Sequence, residues 1–186
     1  MRPRGVGSLV SSCSATRSGA ILCLVKTDTS RIRPAEFKDA QAIFDLIKSF
    51  PNELLPRALS DIVENIDRFL VCEHAGRVIG TVSWQIMPEI GAPRRASVEI
   101  KSLAVEAKHA RAGIGRKLVG CAIERIRPLD PAQIIALTFT PDFFKKLGFV
   151  NVPKETLMHK IYSGCINCTK YDSPFTCPEV AMALSP

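Results

Sequence analysis

The segment from Val98 to Ile126 constrains this chain more than any other, because its hydrophobic period changes in the middle. Val98, Ile100, Ser102 and Ala104 alternate with Glu99, Lys101, Leu103 and Val105, the period of two of an extended strand. After a short basic turn, Ile114, Leu118, Ala122 and Ile126, with Val119 and Ile123 beside them, fall on one helical stripe. The turn between holds Gly113 and Gly115, which let backbone approach a ligand closely. The first N–H groups of the helix have no internal partner, so strand, turn and helix together predict an anion site.

Three kinds of phosphate loop have this outline. A Walker loop requires Gly-x-x-x-x-Gly-Lys-Ser/Thr, a string that does not occur here. A dinucleotide-binding turn requires a third glycine at the helix start, where this chain has Leu118. The remaining candidate is a pyrophosphate loop of the form Gln/Arg-x-x-Gly-x-Gly/Ala. Gly113-Ile114-Gly115 fits its second half, whereas Ala110 stands at its first position and the basic residue has moved to Arg111.

A chain of 186 residues suits one domain with a real core. It is 46% hydrophobic and 23% charged, and it has no apolar run approaching the roughly 18 to 20 residues of a membrane span. Of the net charge of +7, residues 1–30 supply +3, from Arg2, Arg4, Arg17 and Lys26 against Asp28. Aromatic residues make up 6% and do not interleave with the basic ones, which argues against a nucleic-acid surface. A modest basic excess suits a polyanionic small molecule.

Residues 1–29, rich in Arg, Ser, Gly and Ala, read as an extension outside the fold: disordered, targeting-like, or the product of a mis-assigned start. From there the spacing predicts a strand over 31–34, a helix over 39–50 and a second helix over 60–67 with Ser60 as its cap. Strands over 68–73 and 77–85 are joined by His74-Ala75-Gly76 as a hairpin. A proline-containing loop over 87–95 precedes the central strand, and a nearly all-apolar strand follows over 133–138. Thr140-Pro141 opens a short helix that Gly148 closes.

Phe143-Phe144-Lys145-Lys146-Leu147-Gly148-Phe149, at its distance after Gly113-Ile114-Gly115, resembles the Phe-Tyr-x-x-x-Gly-Phe signature of the Gcn5-related N-acetyltransferases (GNAT). The resemblance extends to the short bacterial N-acetylglutamate synthases, which open arginine biosynthesis. It rests on Leu54-Leu55-Pro56-Arg57, Val98 to Val105, Ala136-Leu137-Thr138, His159-Lys160-Ile161 and Pro178-Glu179-Val180-Ala181-Met182. It implies an α/β (α+β) acyl-CoA N-acyltransferase fold, a mixed and mostly antiparallel sheet flanked by helices. The acetyltransferase domain would span 30–162, and a Cys-rich tail 163–186. The implied activity is acetyl transfer from acetyl-CoA to the α-amino group of L-glutamate, in a cytoplasmic enzyme that takes small-molecule substrates, without nucleic-acid or membrane partners; a homodimer is compatible with this fold. Another amine or amino acid as acceptor, or a non-catalytic module sensing acetyl-CoA or metal, stays open beside it. Ala110 and the absence of the signature tyrosine at Phe144 keep the module in view.

The resemblance also distributes roles. The N–H groups of Ala112, Gly113, Ile114, Gly115 and Arg116, with the charges of Arg111, Arg116 and Lys117, would hold the pyrophosphate. Leu103, Ala104 and Val105 would run beside the pantetheine, with an N–H near Leu103 on the acetyl oxygen. Glu99 is the candidate proton acceptor, and Arg57 and Lys101 are the candidates for the acceptor's carboxylates, since arginine binds carboxylates bidentately.

Cys72 and Cys121 read as small core residues, and Cys13 and Cys23 belong to the core or the extension. Cys165, Cys168 and Cys177 lie within 13 residues, six residues after His159. His159, Cys165, Cys168 and Cys177 form a conceivable structural zinc set. A redox pair at Cys165 and Cys168, or reduced thiols packing the tail onto the core, are the other readings.

Overall fold

A computed structural model describes residues 14–15, 21–24, 30–89, 92–168 and 170–185, with side chains described for neither the first two segments nor 88–95. The strands are β1 (Ser14–Ala15), β2 (Ile21–Leu24), β3 (Arg31–Pro34), β4 (Phe69–His74), β5 (Arg77–Glu89), β6 (Ala92–Val105), β7 (Gln133–Thr138), β8 (Val150–Asn151) and β9 (Val180–Leu184). The helices are α1 (Ala40–Lys48), α2 (Leu59–Glu64), α3 (Ile114–Ile126), α4 (Pro141–Lys145) and α5 (Met158–Ser163). The sheet order is β1-β2-β3-β4-β5-β6-β7-β9-β8, and every neighbouring pair is antiparallel except β6 and β7. The fold is a mixed α/β arrangement, a mostly antiparallel sheet with helices packed on its faces.

Alternation along the strands builds a core on each face. Leu70, Cys72, Val98, Ile100, Ile134 and Ala136 meet the stripe Ile114, Leu118, Val119, Ala122 and Ile126 of α3 on one face. Phe69 and Val71 meet Ile43, Ile47 and Ile62 of α1 and α2 on the other. Fully burying one such side chain contributes about 1.5–3 kcal/mol.

Three sequence expectations change, and the expected hairpin between β4 and β5 holds. The loop expected over 87–95 is a continuation of the β5–β6 hairpin, with Met87 paired to Ser97 and Pro88 to Ala96; the ladder absorbs the proline through an irregularity between Pro88 and Glu89. Helix α2 starts one residue early, with extended Ala58 rather than Ser60 at its cap position. The hairpin glycine works with its neighbour: Ala75 and Gly76 have φ of 48° and 75°, the pair of positive angles that a two-residue turn between twisted strands requires. The end of the expected tail is a strand, β9, inserted between β7 and β8, with Ala181, Met182 and Ala183 all buried. Most of residues 1–29 lies outside the described residues; β2 in that stretch pairs with β3 through Cys23–Ile32 and Leu24–Arg31.

The β3–β4 part of this sheet is held by charge. The Arg33 guanidinium donates to both oxygens of Asp39 at 2.7 and 3.0 Å and to Glu73 at 2.7 Å. Burial opposes ionisation of Asp39, but Arg33 and the Glu36 amide outweigh it and hold its pKa below the ordinary value. Arg33 does the same to Glu73 against a weaker burial effect. Carboxylates with depressed folded pKa values contribute stability that is complete above their unfolded values, near pH 4, and is lost as pH falls through the folded ones. The urea midpoint should therefore hold from pH 7 to about 5 and fall below about 4. Arg33→Met should flatten that acid dependence; an equally steep fall in the variant would contradict the assignment.

Candidate active site

Two structural decisions open a passage through the sheet. The pairing between β6 and β7 runs Ser97–Gln133, Val98–Ile134, Glu99–Ile135 and ends there. Beyond it β6 stays paired with β5 as far as Val105, and β7 stays paired with β9 as far as Thr138. The two parallel strands thus diverge, each held from behind. The facing edges of residues 100–105 and 136–138 are left open to a ligand bearing its own amides.

The second decision is a bulge. Thr81 pairs with Ala104 and Ser83 with Lys101, so two residues of β6, Ser102 and Leu103, oppose the single Val82. Ser102 takes φ 53° to make this possible. A bulge re-aims side chains, and here it reverses the alternation: Leu103 and Val105 pack into the same cluster as Val98 and Ile100. The uninterrupted alternation expected from the sequence, which placed Leu103 on the face of Glu99, is corrected accordingly. Ala104 is buried and falls outside that cluster.

At one end of the passage is the start of α3. Gly113 occupies the cap position with φ 79°, preceded by Arg111 at φ 63°, and no side chain caps the helix and no acid lies in its first turn. Arg111, Ala112, Gly113, Arg116 and Lys117 are exposed, whereas Ile114 is buried. The orphan N–H groups of a 13-residue helix, with three cationic side chains beside them, form a site suited to a polyanion. A Cβ on Gly115 would meet only ordinary contacts, 3.7 Å from the Phe143 ring and 3.9 Å from Val105. Packing alone does not require glycine there. Phe144, in the place of the signature tyrosine, is 4% exposed and sits edge-on against Phe143 and Phe149, so it belongs to the core.

At the other end is a cavity of about 270 Å³, lined on the β6 side by Glu99, Ile100, Lys101 and Ser102 and on the β7 side by Leu137 and Phe139. Arg57, Asp61, Lys160, Lys170 and Glu179 bring charge to it, and Cys165, Cys168 and Cys177 complete its wall. Arg57 lies over the Phe69 ring, 5.6 Å from its centre, and donates to Asp61 at 2.6 Å. Its side chain is 12% exposed, so it is a held cation and not a surface arginine. The Lys101 Nζ donates to Gln85 at 2.8 Å and lies 3.9 Å from Glu99. Burial pushes its pKa down to about 8, against the pull of Glu99.

Glu99 is bound more tightly than the sequence suggested. Its oxygens lie 2.8 and 2.9 Å from the Lys160 ammonium, and both side chains are almost wholly buried. Lys160 comes from α5, 61 positions away, which is why no local pattern announced the pair.

The cysteine-bearing segment forms part of the site instead of a separate appendage. Lys170 donates to the carbonyls of Pro51 and Leu54, and Lys154 to those of Pro174 and Cys177, fastening the segment over the cavity. The expected zinc set is not assembled: among the described residues no three His, Cys, Asp or Glu groups come together as metal ligands. The three thiols turn to the cavity, while His159, one helical position from Lys160 and hence about 100° around the helix, does not line it. Burial pushes the Cys165 and Cys177 thiols up, away from the thiolate form that metal binding and redox exchange use.

Three comparisons place this architecture. Residues 65–151 match the sequence profile of the Acetyltransferase (GNAT) domain. The chain is 33% identical over 153 residues to an uncharacterized N-acetyltransferase of Chlorobaculum tepidum, an alignment covering 81% of this chain and 93% of the relative. It is 26% identical over 146 residues to an amino-acid acetyltransferase of Mycobacterium tuberculosis, covering 76% and 79%. Among solved structures, N-acetylglutamate synthase from Neisseria gonorrhoeae, complexed with coenzyme A and N-acetyl-glutamate, superposes with a TM-score of 0.68 at 21% identity. That alignment covers 86% of this chain and 36% of the synthase chain. Among the described residues no helix is long and apolar enough to cross a membrane. With the diverging strands, the uncapped helix and these matches together, the chain belongs to the Gcn5-related N-acetyltransferase (GNAT) family.

Proposed function

We propose that this protein transfers the acetyl group of acetyl-CoA to the α-amino group of L-glutamate. The observation that carries the reading is one cavity holding Arg57, Lys101 and Lys160 beside the gap between β6 and β7. Carboxylates are what the cations of such a set would receive, and the amino-acid acetyltransferase of M. tuberculosis supports the acceptor class. The product of such a reaction would enter arginine biosynthesis.

Each group has a physical task. The start of α3, with Arg111, Arg116 and Lys117, would bind the pyrophosphate through N–H groups and charge. The open edge of β6 at Leu103, Ala104 and Val105 would accept and donate to the amides of the pantetheine arm, with an N–H near Leu103 polarising the thioester carbonyl and stabilising the oxyanion. Arg57, already oriented by Asp61 and Phe69, would take one acceptor carboxylate, and Lys101 the other. Glu99 neutralises Lys160 and holds it at the floor of the cavity. Residues 30–162 would supply the donor side, and 163–186 the far wall of the acceptor side.

Arg57→Ala is expected to raise the KM for glutamate by about 10- to 100-fold, the loss of a charge-assisted pair of about 1.5–3 kcal/mol. The KM for acetyl-CoA should stay within twofold. Steady-state kinetics with each substrate varied in turn checks this, and equal effects on both constants would remove Arg57 from the acceptor site. Lys101 sets a pH dependence of the same constant. Its ammonium is present below about pH 8, so the KM for glutamate should rise as pH increases through that value. Lys101→Met should raise the KM at pH 7 and remove the rise.

A further inference from the structure

Moving a proton from the acceptor's ammonium requires a group in the cavity with basicity left to use. Both oxygens of Glu99 are engaged by Lys160, and the Lys101 amine is mostly protonated at neutral pH. Asp61 is taken by Arg57 and Asn65. Glu179 is differently placed. It immediately precedes β9, whose first residue, Val180, pairs with Thr138 at the end of β7. It therefore borders the gap from the β7 side and lines the same cavity as Glu99 and Lys101, which border it from the β6 side. Among the described residues its one side-chain hydrogen bond comes from the Cys177 thiol, 3.7 Å away, a weak donor that leaves the carboxylate available.

We propose that Glu179 is the catalytic base that receives the proton of the acceptor ammonium. The inference rests on the N-acetyltransfer reading of this cavity. The ammonium gives one proton to Glu179, which passes it to solvent. The neutral nitrogen forms its bond to the thioester carbonyl carbon, and the π pair moves to oxygen. As the C–S bond breaks, the second nitrogen proton leaves the tetrahedral adduct and the departing sulfur ends as the thiol. The net change is one amide, one thiol and one released proton.

Glu179 is faced by Lys160 of α5, Glu99 of β6, Lys154 ahead of α5, and Cys165 and Cys177 of the segment before it. Burial raises its pKa above the ordinary glutamate value, and Lys160 opposes the rise. That shift brings a base closer to its working pH.

The test is the pH profile of kcat/KM for glutamate, from pH 5 to 9, using the full chain. With Glu179 as base, the wild-type rate rises to a plateau once the carboxylate ionises and holds until about pH 8, where loss of the Lys101 ammonium raises the KM for glutamate. Glu179→Gln should lower the rate at pH 7 about 100-fold, within the range of general-base contributions. It should also replace the plateau with a rise of about tenfold per pH unit, because the rate then follows the free amine. Acetyl-CoA binding should be unchanged. Glu179→Asp guards against a folding defect: it should keep the plateau at a reduced rate, whereas a merely structural role would lower the rate of Glu179→Gln as well without changing the shape of its profile. A plateau kept in Glu179→Gln, or lost in Lys101→Met instead, overturns the assignment. Failure of the wild type to turn over any acceptor overturns the acetyltransfer reading with it, so the two failures are distinguishable.

Discussion

Glu99→Gln should lower the unfolding free energy by about 3–5 kcal/mol, because it leaves the Lys160 ammonium buried without its counter-charge. The pair sits with side-chain exposures of 5% and 9%, so water cannot take the missing partner's place without rearrangement. The double change Glu99→Gln with Lys160→Met removes the stranded charge, and it should recover most of the loss. Urea unfolding of the two single variants and the double variant measures the coupling. A Glu99→Gln protein as stable as the wild type would mean that Lys160 finds another partner and that Glu99 is spare for proton transfer. That outcome would restore the role that its position on the central strand first suggested.

Ending the chain at Glu179 should abolish cooperative folding. The cut removes β9, a strand with partners on both sides, and with it Met182, which is fully buried in the main core. It strips β7 of the neighbour that holds it apart from β6, and it leaves backbone groups of β7 and β8 unpaired. Circular dichroism and a thermal melt of the shortened protein check this; a sharp transition near the wild-type temperature would show that the last strand is dispensable. By comparison, removing only the Cys165 and Cys168 thiols, as the double serine variant, should cost far less, since neither is in a hydrophobic cluster.

These two expectations also mark where the sequence was legible. The central strand, the uncapped helix and the aromatic signature announce themselves through local periodicity and glycine placement, and they appear in the structure within a few residues. Arg57 and Lys101 were reached through resemblance, and they do share a cavity. What local patterns could not carry was pairing at a distance. Val180 to Leu184 reads as a short apolar run of five residues, with nothing in it to say that it inserts beside β7. Lys160 and Glu179 lay inside strings whose likeness was recognisable, but neither string hinted at a partner on β6. The bulge at Ser102 had no glycine to flag it, since a serine takes the positive φ. The thiols illustrate the converse: Cys165-x-x-Cys168 with Cys177 resembles a ligand set in one dimension, whereas the fold spends these residues on a cavity wall.

The most direct test of the whole account is release of thiol from acetyl-CoA by the purified protein against a panel of amino acids and polyamines. The account predicts turnover that depends on glutamate, yields N-acetylglutamate by mass spectrometry, and is weak with neutral amino acids that lack the second carboxylate. Binding of acetyl-CoA without turnover on any acceptor would contradict it, and would give the departures at Ala110 and Phe144 their meaning as marks of a sensing module.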